Sequence, residues 1–195
     1  MPLRFRSAPA LLALMLAALL PGPAALSDEP AGGTRLPGVS TRLSGRELRV
    51  AAKLSPGLPR DVEERLGSGL PTTVLWRVRL FVFNNLWFFD SLKDERGYEV
   101  TATYRPISGD WLVERRLDDH LLGTRVAPAK ADALRALSEI PDLPLFIMGS
   151  HLAGKRLVVR VNCAYARGVA LGVVPTTVET GWVRSGIFDW PPADF

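Results

Sequence analysis

Hydrophobic side chains in this chain recur mostly at every second position, and a two-residue period places them on one face of a pleated sheet. Leu48, Val50, Ala52 and Leu54 alternate with Arg49 and Lys53. Val74, Trp76, Val78, Leu80 and Val82 alternate with Leu75, Arg77, Arg79 and Phe81. Tyr98, Val100, Ala102 and Tyr104 oppose Glu99, Thr101, Thr103 and Arg105, and Ser108-Gly109-Asp110 turns this strand back into Trp111 to Arg116 as an antiparallel hairpin. Leu157, Val159, Val161, Cys163 and Tyr165 form a further apolar face with Arg160 and Asn162 opposite. The pattern predicts a final strand over Thr176 to Arg184 and shorter ones at 86–90, 122–126 and 143–148.

Helical spacing appears twice. Leu58, Val62 and Leu66 sit four apart, with Gly67 placed as a left-handed terminator. A second helix is predicted to start at Pro128, to present Ala133, Leu134, Leu137 and Ile140 to a core, and to stop at Pro141. Strand and helix do not alternate regularly, which argues against a parallel doubly wound sheet. The expected fold is mainly β, an antiparallel β-sandwich of about eight strands with two short accessory helices.

Composition supports a globular domain, with 47% hydrophobic, 23% charged and 8% aromatic residues among 195. The 17 glycines and 16 prolines fit a turn-rich chain. Residues 1–27 read differently: Arg4 and Arg6, an apolar run from Ala8 to Leu20, then Pro21-Gly22-Pro23 and the small residues Ala25 and Ser27. That order is a secretory signal peptide with cleavage before Asp28. The unbroken stretch Ala10 to Leu20 would make roughly 16 Å of helix at ~1.5 Å per residue, against ~30 Å of hydrocarbon, so a membrane contact arises only if the segment is kept as an uncleaved anchor. Residues 28–45 read as a flexible leader and 46–195 as a single domain.

Removing residues 1–27 takes away two arginines and no acids, so 24 basic against 20 acidic side chains become 22 against 20, a net charge near +2. The arginines are scattered, without the basic block of a nucleic-acid binder. The single cysteine, Cys163, cannot form an internal disulfide, so an apolar core has to hold the domain in an oxidising compartment.

Reactive chemistry is poorly supported. Asp118-Asp119-His120 reads as a polar loop before it reads as a ligand cluster. Gly149-Ser150-His151 lacks the flanking glycines of a nucleophile elbow. Cys163, between Val161 and Tyr165 on an apolar strand face, reads as core. Neither Gly67-Ser68-Gly69 nor the run Gly168 to Gly172 is a phosphate loop. No catalytic residue, metal or cofactor is expected.

Two clusters stand out. Trp76, Phe81, Phe83, Trp87, Phe88 and Phe89 fall within fourteen residues, and Phe81 shares its face with Arg77 and Arg79, opposite Trp76. Either a second layer covers that face or its rings form a patch for a partner. Trp182, Arg184, Phe188 and Trp190 crowd the C-terminal segment, where they anchor an interface or plug the end of the sandwich. The candidate interaction surface is therefore Arg77, Arg79, Phe81, Trp87, Phe88, Trp182, Arg184, Phe188 and Trp190.

The order of features is itself informative. A signal peptide, a strand at Leu48 to Leu54, Arg65-Leu66-Gly67-Ser68-Gly69-Leu70-Pro71, Leu75-Trp76-Arg77-Val78-Arg79, Tyr98-Glu99-Val100, Gly109-Asp110-Trp111-Leu112-Val113, a helix at 128–140 and a tryptophan-rich end follow in turn. This resembles the proteobacterial family called domain of unknown function 4390, over roughly residues 46–190. The resemblance implies an exported protein of the periplasm or cell envelope of a Gram-negative bacterium. It also implies a family with no assigned activity, some of whose members are encoded near two-component sensor genes, and it carries no catalytic residues. The expected function is a non-enzymatic β-sandwich module, protein-binding or envelope-associated, that binds another component of the envelope. The alternative is a carrier for a small apolar ligand or lipid held between the sheets. A hydrolase is the third choice and would require Asp90, Asp110 or Asp118 to converge.

Overall fold

A computed structural model describes residues 34–84, 90–170 and 174–191, with side chains described outside 167–170 and 174–176. Its described residues form eleven strands and two α-helices. β1 (Val39–Ser44), β2 (Glu47–Lys53) and β7 (Glu139–Ile147) make a small antiparallel sheet in the order β1-β2-β7. The large sheet runs β10 (Val183–Arg184), β8 (Arg156–Ala170), β3 (Thr72–Val82), β4 (Ser91–Arg105), β5 (Asp110–Leu117), β6 (His120–Ala127). β9 (Val174–Glu179) and β11 (Phe188–Asp189) also pair with β8. The expectation of a mainly β, antiparallel, two-sheet fold holds, with more strands than the eight anticipated and with sheets of unequal size.

Alternation decides what enters the core. Val74, Trp76, Val78 and Leu80 of β3 are buried and lie opposite Tyr165, Cys163, Val161 and Val159 of β8. On the other side of β3, Val74, Trp76 and Ala102's partner Thr72 stand opposite residues of β4, whose Tyr98, Val100 and Ala102 are buried in the same cluster. Leu48, Val50 and Ala52 from β2 and Ile140, Leu145 and Phe146 from β7 close that core from the small sheet.

The helices complete the closing layer. α1 (Arg60–Gly67) begins after Pro59, carries Asp61 and Glu63 in its first turn, and buries Val62 and Leu66 one turn apart. It packs on β3, β4 and β8. α2 (Lys130–Leu137) buries Ala133 and Leu137 and packs on β4, β5 and β6 as well as β7. Both helices thus contribute directly to the core, beyond the accessory role expected of them.

Four local expectations are corrected. Residues 34–45 are not a loose leader: Arg35 bridges Ser55, Leu36 is buried, and β1 pairs with β2 through a turn at Gly45, whose φ is +58°. α1 is closed by Gly69, with φ +87°, while Gly67 is its last helical residue. α2 ends at Leu137, where the Ser138 hydroxyl donates to the Leu134 carbonyl at 2.6 Å; Ile140 and Pro141 already belong to β7, because pairing with β2 outweighs the helical spacing. β7 tolerates Pro141 and Pro144 since it is an edge strand. The predicted strand Thr176 to Arg184 is split into β9 and β10 by Gly181, with φ +77°. The candidate at 86–90 falls largely outside the described residues.

At the far edge of the large sheet, β6 pairs among the described residues with β5 alone and exposes Leu121, Leu122 and Val126. The β5–β6 turn is Asp118-Asp119, both with positive φ (48° and 67°), the backbone of a tight two-residue hairpin. Asp118 accepts from the Gly97 backbone N–H and from Arg96, both at 2.8 Å, and so ties the turn to β4. Burial raises the Asp118 carboxyl's pKa, but the Arg96 guanidinium and the Gly97 N–H outweigh it and hold the group below the ordinary carboxylate range.

Truncation of Trp76, fully buried at the sheet centre, is expected to destabilise the domain by ~3–5 kcal/mol, measured by urea unfolding of Trp76→Ala. Because the folded pKa of Asp118 is depressed, its contribution is present above the unfolded value near ~3.9 and is lost as pH falls through the folded value. Asp118→Asn, which the left-handed backbone accepts, should lower stability at pH 7 by no more than ~1 kcal/mol and flatten the stability profile below about pH 4.

Candidate functional site

The outward face of the large sheet follows from the same register that builds the core. Across β3 and β8, Leu75 faces Ala164, Arg77 faces Asn162, Arg79 faces Arg160 and Phe81 faces Val158. β10 sets Arg184 opposite Arg160. Five of the residues singled out from the sequence, Arg77, Arg79, Phe81, Trp182 and Arg184, therefore gather on this face.

There they interleave as guanidinium and ring. The Arg79 guanidinium lies 4.3 Å from the Trp182 ring centre and that of Arg160 lies 4.5 Å from Phe81. Phe83 receives Arg156 at 5.1 Å and Arg184 at 5.8 Å. Carboxylates steer the same arginines: Arg79 Nε donates to Glu95 at 2.9 Å, Arg160 Nη2 to Asp90 at 2.6 Å and Arg77 Nη1 to Glu179 at 3.0 Å. Partly exposed cation–π contacts and ion pairs are each worth ~1 kcal/mol or less, so the ladder orients side chains more than it stabilises the fold.

The ladder stays open to solvent. Trp182 is 39% exposed, and the Arg77 and Arg160 side chains are 38% and 37% exposed. Among these groups Asn162 is fully buried, and neither its Nδ2 nor its Oδ1 has a hydrogen-bond partner. An unmet amide of that kind is uncommon in a folded protein.

Other predicted surface residues go elsewhere. Phe188 pairs with Leu157 and, like Trp190, is half-buried against the core, so both plug the sandwich and do not join the ladder. The Trp190 backbone is fixed at Lys155 and Gly154 by bonds of 3.0 and 2.9 Å. Trp87 and Phe88 lie outside the described residues.

The sequence's reactive leads are also placed. Cys163 is buried on the core face, where loss of solvent drives its thiol pKa far upward and leaves no thiolate. Ser150 and His151 form a short 3-10 turn, Ser150–Leu152. His120 Nδ1 donates to the Asp118 carbonyl at 2.8 Å at the β5–β6 turn. Asp90, Asp110 and Asp118 each hold an arginine, respectively Arg160, Arg105 and Arg96. Asp110 and Asp118 stand at opposite ends of β5, on the order of 25 Å apart by strand rise. Among the described residues no group of three His, Cys, Asp or Glu side chains is arranged to hold a metal, and no helix is long and apolar enough to cross a membrane.

A family model described as Domain of unknown function (DUF4390) matches residues 32–168. The chain belongs to this family. No curated protein and no solved structure matches it. The DUF4390 match begins in the stretch read as a leader and takes in β1, in accord with the structure. Within the DUF4390 segment lie Arg77, Arg79, Phe81, Phe83, Arg156 and Arg160 of the ladder, while Trp182 and Arg184 follow it.

Sequence reasoning did not select Phe83, Arg156, Arg160 or Asn162 for this surface, although the parity of β8 already set Arg160 and Asn162 opposite its apolar face. It also passed over Arg115 and Arg125, which share their strand faces with Val113 and Ala127. A charge at an inward-facing position was the available signal there.

The depressed reactivity of Cys163 is directly measurable: a maleimide or disulfide reagent should leave the folded DUF4390 protein unmodified and label one thiol per chain once urea unfolds it.

Proposed function

We propose that this chain is an exported, non-enzymatic module of the bacterial cell envelope that docks a protein partner on the arginine–aromatic face of its large sheet. The observation that carries the reading is the ladder of Arg79 on Trp182, Arg160 on Phe81, and Arg156 and Arg184 on Phe83, held in place yet partly solvent-exposed. Tryptophan and arginine dominate the energetics of protein interfaces, and side chains already fixed by neighbours lose little freedom on binding.

Export is supported by the basic start, apolar run and small residues of positions 1–27. A role without chemistry is supported by the buried Cys163 thiol and by the arginine pairing and separation of the candidate acids.

Arg79→Glu and Trp182→Ala are the decisive variants, because both groups lie at the surface. Each should reduce capture of the partner from a detergent-free envelope fraction at least tenfold, scored by quantitative mass spectrometry, and move the melting temperature by only a few degrees. Unchanged capture, or a collapse in stability, would assign the ladder to structure alone. The same preparation should carry a mature N-terminus at Asp28, and an intact chain confined to the cytosol would remove the envelope from the proposal.

A further inference from the structure

On the other side of the large sheet, where α2 meets β4, β5 and β6, lies a cavity of about 160 Å³. Tyr98 from β4, Arg115 from β5, Arg125 from β6, Asp132 and Arg135 from α2, and Glu139 from β7 stand in its wall. The space is well above the ~10–15 Å³ that one water requires and below the ~300 Å³ at which drug-sized pockets begin, so its occupant is small.

Register explains why these groups converge. Val113 faces Arg125 and Arg115 faces Gly123 across β5 and β6, so the two arginines are diagonal neighbours on one face. Arg115 faces Val100 and Leu117 faces Tyr98 across β4 and β5, which makes the tyrosine Arg115's diagonal neighbour on the opposite side. Gly123 adds no side chain beside Arg115, and a Cβ placed there would meet nothing within 4 Å.

The charges in this wall are not balanced. Arg135 pairs with Asp132 at 3.6 Å, but Arg115 and Arg125 form no ion pair among the described residues, unlike Arg77, Arg79 and Arg160 on the outer face. Three arginines stand against two carboxylates. Deeper in, the Tyr98 hydroxyl and Arg115 Nε are buried without a hydrogen bond of full geometry, while the Arg115 guanidinium lies close enough to the phenol oxygen to act on it as a donor. Burial pushes the Tyr98 phenol above its ordinary range against the opposing pull of Arg115, so the hydroxyl keeps its proton. The cavity therefore carries more donors than its two carboxylates engage, with Arg115 and Arg125 in no ion pair among the described residues.

We propose that this cavity binds a small molecule through an oxyanion, carboxylate or phosphate, held by Arg115 and Arg125 with Tyr98 behind them. A guanidinium fork matches both anions, and two forks at diagonal positions of one sheet face, neither in an ion pair among the described residues, are an arrangement such a group completes. Asp132 and Glu139 repel additional negative charge, which selects a compact mono- or dianion over an extended polyanion.

The full chain is titrated with inorganic phosphate and, separately, with succinate, at ionic strength held constant with chloride, following calorimetry and melting temperature. Saturable one-to-one binding of at least one of the two is expected, with a rising melting temperature, and the anion that responds identifies the chemistry. Arg125→Gln, at an exposed rim position, should weaken that binding roughly tenfold or more, Arg115→Gln at least as much, and Tyr98→Phe several-fold, while Arg116→Gln on the outer face leaves it unchanged. Should Arg115→Gln fail to fold, Arg125→Gln decides alone. No saturable response to either anion, equal binding by Arg125→Gln and the wild type, or an equal response to chloride overturns the proposal.

Discussion

The antiparallel pairing of β3 with β8 is the constraint on which the rest of this molecule depends. Nine consecutive partners from Val74–Tyr165 to Val82–Leu157 run without a shift, so every side chain on either strand is committed to one of two faces. One face receives Trp76, Val78, Cys163 and Val161, all fully buried, and supplies the apolar burial that holds a chain with no disulfide. The other receives Arg77, Arg79, Arg160 and Phe81. A slip of one residue would exchange the two sets and place arginines in the core.

This explains what was legible in the sequence. Alternation alone located the central strands, the hairpin at Gly109 and the burial of Trp76 and Cys163, because a half-buried sheet writes its register into every second residue. It also separated Arg77, Arg79 and Phe81 from the core. Elements shaped by distant partners were harder to read. β1 has a polar, glycine-flanked sequence and exists because β2 offers it an edge. Ile140 continues a helical spacing yet joins β7, since β2 supplies backbone bonds that no local pattern encodes.

The sites follow the same division. Trp182 and Arg184 meet the ladder because β10 returns to β8, whereas Phe188 and Trp190, only a few residues later, turn to the core side after Ser185 is anchored to Val159. Nothing in the spacing of four large side chains distinguishes these fates. The inward arginines on β5 and β6 illustrate the converse case: parity placed Arg115 and Arg125 on the same face as Val113 and Ala127, and the departure from apolar character there marked a cavity between sheet and helix.

The two borders of the large sheet differ in a way that bears on assembly. On one side β9, β10 and β11 are short runs broken by Gly181 and by the bends around Ser185, a poor template for another strand. On the other, β6 offers eight residues with Leu121, Leu122 and Val126 uncovered, interrupted by a bulge at Leu122 and carrying one charge, Arg125. A sheet with a single usable border can be extended once. Two copies meeting at β6 would be related by a two-fold axis and would bury that border of each, so pairing through this one strand closes on itself.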